Sequence, residues 1–173
     1  MRTSLTTRIV RTLVFLLVAG LARPALAQQS IFLIRHAERA DSVPGQPPTM
    51  ANDPDLSDAG RARAQSLASL LKDAGITAIY TTEYKRTQQT VAPLAKTLGL
   101  TPVVIKASET ARLVKELAAG KSNVLVVGHS NTVPDVIKGL GVTTPQAIGD
   151  DEFDNLFIVT TGQAPAVVRL HYK

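Results

Sequence analysis

Short apolar runs that stop abruptly at a polar pair are the feature that most restricts this chain. Residues 30–34 (SIFLI) give way at once to Arg35-His36, and residues 123–127 (NVLVV) to Gly128-His129-Ser130. Both runs are apolar on both faces, which suits strands buried between two layers of a parallel sheet. Residues 76–81 (ITAIYT) and 101–106 (TPVVIK) are two further strand candidates. Segments of helical period separate them. Ala64, Leu67, Ala68, Leu70 and Leu71 recur at helical spacing behind Ser57, a good N-cap, and Gly75 ends the run. Residues 87–98 predict a helix closed by Gly99, with Pro93 expected to bend it or to mark a late start. Residues 110–119 and 132–140 predict two more helices, the second with Pro134 in its first turn, where proline is tolerated. Residues 156–160 and 166–172 close the chain as strands, the last with the alternation of a half-covered antiparallel edge. Residues 41–54, rich in proline and polar side chains, predict a surface loop. This order predicts one α/β domain. Its expected form is a three-layer α/β/α sandwich, a mostly parallel sheet with an antiparallel edge.

In a doubly wound sheet, ligands bind outside the carboxyl ends of the strands. Three segments place polar residues there: Arg35-His36, Thr81-Thr82 leading to Arg86, and Gly128-His129-Ser130. Two of the three histidines in the chain therefore follow buried strands directly. Two histidines and two arginines at one edge make an anion site, because the planar guanidinium fork matches phosphate oxygens. A neutral imidazole can attack phosphorus through one ring nitrogen while a hydrogen bond to the other fixes its tautomer.

At these residues the chain resembles the histidine phosphatase superfamily, which includes the phosphoglycerate mutases. Ile34-Arg35-His36-Ala37-Glu38 resembles its arginine-histidine-glycine signature, with Ala37 standing where glycine is usual. Leu56-Ser57-Asp58-Ala59-Gly60 with Ala64 resembles its leucine-serine/threonine-x-x-glycine helix start. Tyr80-Thr81-Thr82 with Arg86-Thr87 and Thr90 resembles its second-arginine segment, and Val126-Val127-Gly128-His129 its second-histidine segment. The four matches occur in family order. The resemblance implies a phosphoglycerate mutase-like fold, with His36 as the nucleophile that becomes a phosphohistidine and with Arg35, Arg86 and His129 holding the phosphoryl oxygens. It implies neither a metal nor an organic cofactor.

The resemblance also requires a general acid at the leaving-group oxygen. The mutase-like branch uses a glutamate between the second arginine and the second histidine, and Glu109 is the best placed candidate here. The phytase-like branch uses an aspartate just after the second histidine, where this chain has Ser130. Glu38 is the fallback, and Asp150, Asp151, Glu152 and Asp154 form a late acidic cluster that could also approach the site. Arg61, Arg63 and Lys72 read as a solvated helix face and His171 as a surface residue.

The N-terminus carries Arg2, Arg8, Arg11 and Arg23 with no acid, an unbroken apolar run over residues 12–22, and Ala25-Leu26-Ala27. That is the pattern of a secretory signal peptide cleaved near Ala27, and the run is too short for a membrane span, which needs roughly 20 residues. An uncleaved N-terminal anchor is the alternative. Removing residues 1–27 leaves a domain over 28–173 with 15 Lys plus Arg against 14 acids, so the formal charge of +5 falls to +1. A nucleic-acid partner is therefore not expected, nor is stable membrane insertion. The absence of cysteine excludes disulfides and thiolate metal sites.

The expectation is a secreted or periplasmic phosphatase that hydrolyses a small phosphorylated substrate through His36. A mutase is less favoured, because its priming bisphosphate is expected to be scarce outside the cytoplasm and because mutases commonly carry long insertions absent here. Oligomeric state is open. Two other readings compete. Gly128-His129-Ser130 also resembles the nucleophile elbow of the α/β-hydrolases, with Ser130 as nucleophile and Asp154 and His171 in the right order, although Thr132 stands where the turn wants glycine. A non-catalytic phosphate-binding module would keep both arginines but would not need the nucleophile.

Overall fold

The computed structural model describes residues 29–41 and 53–173. The expected signal peptide and most of the 41–54 loop lie outside the described residues. The chain runs β1 (Ser30–Arg35), α1 (Asp58–Leu71), β2 (Ile76–Thr81), α2 (Lys85–Leu98), β3 (Val103–Val104), a 3₁₀ turn (Ala107–Glu109), α3 (Thr110–Ala119), β4 (Asn123–Gly128), α4 (Thr132–Gly139), β5 (Asn155–Thr160) and β6 (Ala166–His171). The six strands form one sheet in the order β3-β2-β4-β1-β5-β6. β3, β2, β4 and β1 pair in parallel, whereas β5 runs antiparallel to both β1 and β6. This is the mostly parallel sheet with an antiparallel edge.

Alternate strand residues feed two separate cores, which makes three layers. Phe32, Ile34, Ile79, Leu125 and Val127 meet Leu67 and Leu71 of α1 and Val91 and Leu94 of α2 on one face. Ile31, Leu33, Val124 and Val126 meet Leu117 of α3 and Val133, Val136 and Ile137 of α4 on the other. The sequence runs apolar on both faces because each central strand is covered twice.

Ser57 caps α1 as expected, its side chain accepting from the Gly60 amide. Gly60 is required by packing: a Cβ there would overlap the backbone carbonyl of Glu38. The helix thus lies directly on the chain leaving β1.

Three details depart from the sequence expectation. The third strand is two residues long, not six, because it pairs only with the end of β2 at the sheet edge, and Pro102 offers no amide to extend the ladder. α2 begins at Lys85, earlier than predicted, so Pro93 does not mark a late start. Arg63 is not on a solvated face. It is one-fifth exposed, pairs with Glu38 through both nitrogens of its fork, and donates to the Tyr172 carbonyl.

Candidate active site

Three neighbouring strands, β2, β4 and β1, end side by side. Thr81 lies opposite Val127, and Arg35 opposite Gly128. The register carries one residue further, where the His36 amide donates to the Gly128 carbonyl at 2.9 Å. Each strand therefore delivers its next side chains to the same edge: Arg35 and His36 from β1, Thr82 from β2, His129 from β4. Arg86 joins them from the first turn of α2.

The His36 and His129 rings lie 5.4 Å apart, edge to face. His36 Nδ1 is 2.8 Å from the carbonyl oxygen of Ala37. A carbonyl only accepts, so Nδ1 carries the hydrogen and Nε2 keeps its lone pair. Burial, with His129, Arg35 and Arg86 close by, pushes the His36 pKa down from 6.5 to about 3, against the opposing Ala37 hydrogen bond. Burial and the two arginines bring His129 down to about 4. Both rings are neutral near pH 7.

Ala37, the departure from the glycine of the signature, packs its methyl group against Leu56 and Ala64. Its amide donates to Thr90 Oγ1 at 2.9 Å, and Thr90 donates in turn to the Arg86 carbonyl at 2.7 Å. One buried hydroxyl thus ties the nucleophile candidate to the helix that carries the second arginine.

Three guanidiniums, not two, are buried here: Arg35 and Arg39 at 4% exposure and Arg86 at 1%. Arg35 Nη1 donates to the carbonyls of Gly149, Asp150 and Glu152 at 2.8, 2.7 and 3.3 Å, and its guanidinium stacks 4.1 Å above the Phe153 ring. Its buried Nε has no hydrogen-bond partner among the described residues. Arg86 stacks 4.2 Å above the Tyr84 ring, lies 3.5 Å from Asp53 and places Nη2 3.5 Å from His129 Nδ1. Arg39 grips Asp41 through both arms of its fork. Burial lowers the pKa of Arg35, Asp150 opposes this and Arg39 adds to it; for Arg86, burial and then Arg39 lower it and Asp53 opposes. The sequence reading missed Arg39, Tyr84 and Phe153. For Arg39 a signal existed, since it follows His36 by three residues in a segment leaving a central strand. Phe153 lies in a loop with no local pattern.

The two predicted histidines and two predicted arginines come together. Glu109 shares no contact with them. Its carboxylate accepts from the Lys106 amide at 3.3 Å and lies 3.7 Å from Arg112. The turn that carries it is tied to the segment that follows β2, where the Ala107 amide donates to Glu83 at 2.8 Å. Glu38 is engaged by Arg63. Of the late acidic cluster, Asp150 and Asp151 act electrostatically on Arg35, while Glu152 pairs with Arg169. Asp154 does pair with His171, at 3.1 Å. That pair lies at β6, three strands from the β4 end that precedes Ser130, roughly 14 Å away at ordinary strand spacing. His171 is 58% exposed, the surface position expected of it. Among the described residues, no group of three or more His, Asp or Glu side chains could hold a metal ion, and no helix is long and apolar enough to cross a membrane.

Residues 31–109 match the family model "Histidine phosphatase superfamily (branch 1)". No curated protein matches the chain. Solved structures share the fold. A mycobacterial glucosyl-3-phosphoglycerate phosphatase, Rv2419c, is 15% identical with a TM-score of 0.64, over 84% of this chain and 98% of that one. The protein histidine phosphatase SixA, solved with tungstate, is 19% identical with a TM-score of 0.62, over 82% of this chain and 96% of that one. A protein described as mycobacterial hydrolase 1 is 15% identical with a TM-score of 0.66, over 83% of this chain and 97% of that one.

Proposed function

We propose that this chain, a member of the histidine phosphatase superfamily (branch 1), hydrolyses phosphomonoesters through a phosphohistidine at His36. The observation that carries the reading is the Nδ1 contact to the Ala37 carbonyl at 2.8 Å, which leaves the lone pair on Nε2 of a neutral ring that has Arg35 and Arg86 close by. In the first step Nε2 bonds to phosphorus. The bond to the ester oxygen breaks, and its electron pair leaves with that oxygen, which takes a proton from a carboxylic acid. Water then attacks phosphorus and gives a proton to the carboxylate left by the first step, the phosphorus–nitrogen bond breaks with its electron pair returning to Nε2, and inorganic phosphate departs. Arg35, Arg86 and His129 hold the transferring oxygens. Fixed donors aimed at the charge that develops there provide most of the catalysis in such a transfer.

Glu109 is assigned as the acid, because it lies between the second arginine and the second histidine in a turn whose Ala107 amide donates to Glu83, the residue after Thr82. The substrate is a small phosphomonoester or a phosphorylated envelope glycan, met outside the cytoplasm if residues 1–27 act as the signal peptide their pattern indicates.

The test is turnover of p-nitrophenyl phosphate, with protein quenched in alkaline detergent and then examined for acid-labile phosphate. Wild type is expected to turn over, to form the adduct and to be inhibited by vanadate. His36→Ala is expected to do none of these, and retained turnover in that variant would sink the mechanism.

A further inference from the structure

The buried hydroxyls behind His129 determine which of its nitrogens carries hydrogen. His129 Nε2 is 3.0 Å from Thr82 Oγ1, and Thr82 Oγ1 is 3.0 Å from Thr87 Oγ1. Thr87 Oγ1 in turn lies 2.7 Å from the Tyr84 carbonyl and 3.1 Å from the Thr82 carbonyl. Thr82 and Thr87 are both buried, at 7% and 0% exposure. The chain ends on carbonyls, which only accept, so Thr87 spends its single hydrogen there. Its oxygen then receives the hydrogen of Thr82, and the oxygen of Thr82 is left to receive one from Nε2. The other side of the ring agrees, through a longer and weaker contact. Arg86 Nη2, 3.5 Å from Nδ1, has only hydrogens to offer, so Nδ1 faces it with a lone pair.

We propose that Thr82, backed by Thr87, is a positioning residue that holds His129 as the Nε2–H tautomer with a bare Nδ1 turned toward Arg86 and the anion site. Its low pKa, about 4, keeps the ring neutral so that the tautomer has meaning at pH 7. A phosphoryl dianion brings no hydrogen of its own, so the bare Nδ1 is the site that takes up a proton when the anion arrives, and His129 then holds a phosphoryl oxygen as a donor. The assignment of the tautomer stands on geometry alone; its effect on rate rests on the proposed phosphatase reading.

The experiment uses the protein with ¹⁵N-labelled histidine at neutral pH, observed through long-range ¹H–¹⁵N correlations. The chain has only three histidines, so His36→Gln and His171→Gln assign the signals. Wild type is expected to show His129 with a proton-bearing Nε2 and a bare Nδ1. Thr82→Val, close in size but without the hydroxyl, is expected to lose that pure state and to show an Nδ1–H population, with kcat on p-nitrophenyl phosphate about tenfold lower. Thr82→Ser restores the hydroxyl and is expected to keep the wild-type spectrum, with kcat within about threefold. A wild-type His129 bearing its hydrogen on Nδ1, or a Thr82→Val spectrum identical to wild type, overturns the proposal. A shifted tautomer with full turnover overturns the positioning role. If wild type does not turn over at all, the phosphatase reading fails while the spectra still decide the tautomer.

Discussion

Keeping two imidazoles neutral inside the fold makes stability depend on pH in a way that can be measured. His36 and His129 are 4% and 6% exposed, and their pKa values are about 3 and about 4 against an ordinary 6.5. Between these values the unfolded chain binds protons that the folded chain refuses. Stability is therefore full above about pH 6.5, is lost progressively as pH falls below it, and stops falling only once the folded values are passed. At pH 5, about 1.5 below the ordinary value, each histidine costs about 2 kcal/mol, or about 4 kcal/mol together. For a domain of this length that is a fall in Tm on the order of 10 °C. Asp41 and Glu152, whose pKa values are lowered, contribute little in this window, because their stabilisation is lost only below the ordinary carboxylate range of about 4. The assay is urea unfolding at about pH 7.5 and pH 5, comparing wild type with a His36→Gln/His129→Gln double variant. Wild type is expected to lose about 4 kcal/mol between the two conditions and the double variant only a small part of it. Equal losses would refute the argument that these rings are held neutral by burial.

Two more expectations concern carboxylates and packing. Glu109→Gln should slow alkyl phosphates at least about tenfold more than p-nitrophenyl phosphate, since only the poor leaving group needs the proton; Glu38→Gln should cost about 1 kcal/mol of stability through the lost Arg63 pair and leave that leaving-group ratio unchanged. Leaving-group series on both variants check this, and the opposite pattern moves the acid to Glu38. Gly60→Ala should destabilise by about 1–3 kcal/mol in denaturant titration, because the added methyl group meets the Glu38 backbone and not a side chain that could swing away.

The central strands and helices were readable because each has a repeating physical signature. Ile31, Leu33, Val124 and Val126 lie on one face and Phe32, Ile34, Leu125 and Val127 on the other, so two-sided burial is written as unbroken apolar runs. The site was readable for the same reason: a residue that directly follows a buried parallel strand has little choice but the carboxyl edge. What the pattern could not supply is anything set by contacts across loops. The brevity of β3 depends on its having one neighbour. Arg63 looks solvated in its helix because Glu38, 25 residues away, is invisible at helical spacing. The stacking of Phe153 on Arg35 joins residues on opposite sides of the chain, with nothing local to announce it.

The positive charge of the site likewise owes little to composition. Beyond residue 27 the chain is almost balanced, with 15 cations against 14 acids. Yet three guanidiniums are gathered within electrostatic reach of one another, and Arg39 lowers the pKa of both Arg35 and Arg86. The fold offsets that repulsion unevenly. Arg39 receives a full two-armed carboxylate from Asp41. Arg86 receives Asp53 at a long 3.5 Å, and Asp53 also spends its oxygens on the Lys85 amide. Arg35 is held mainly by three backbone carbonyls, which satisfy hydrogens without cancelling the charge. Among the described residues, each of the three guanidiniums is thus held in a different way. On the proposed phosphatase reading, guanidiniums whose hydrogen-bonding geometry is fixed in advance meet the condition under which preorganised donors favour a transferring phosphoryl group over water.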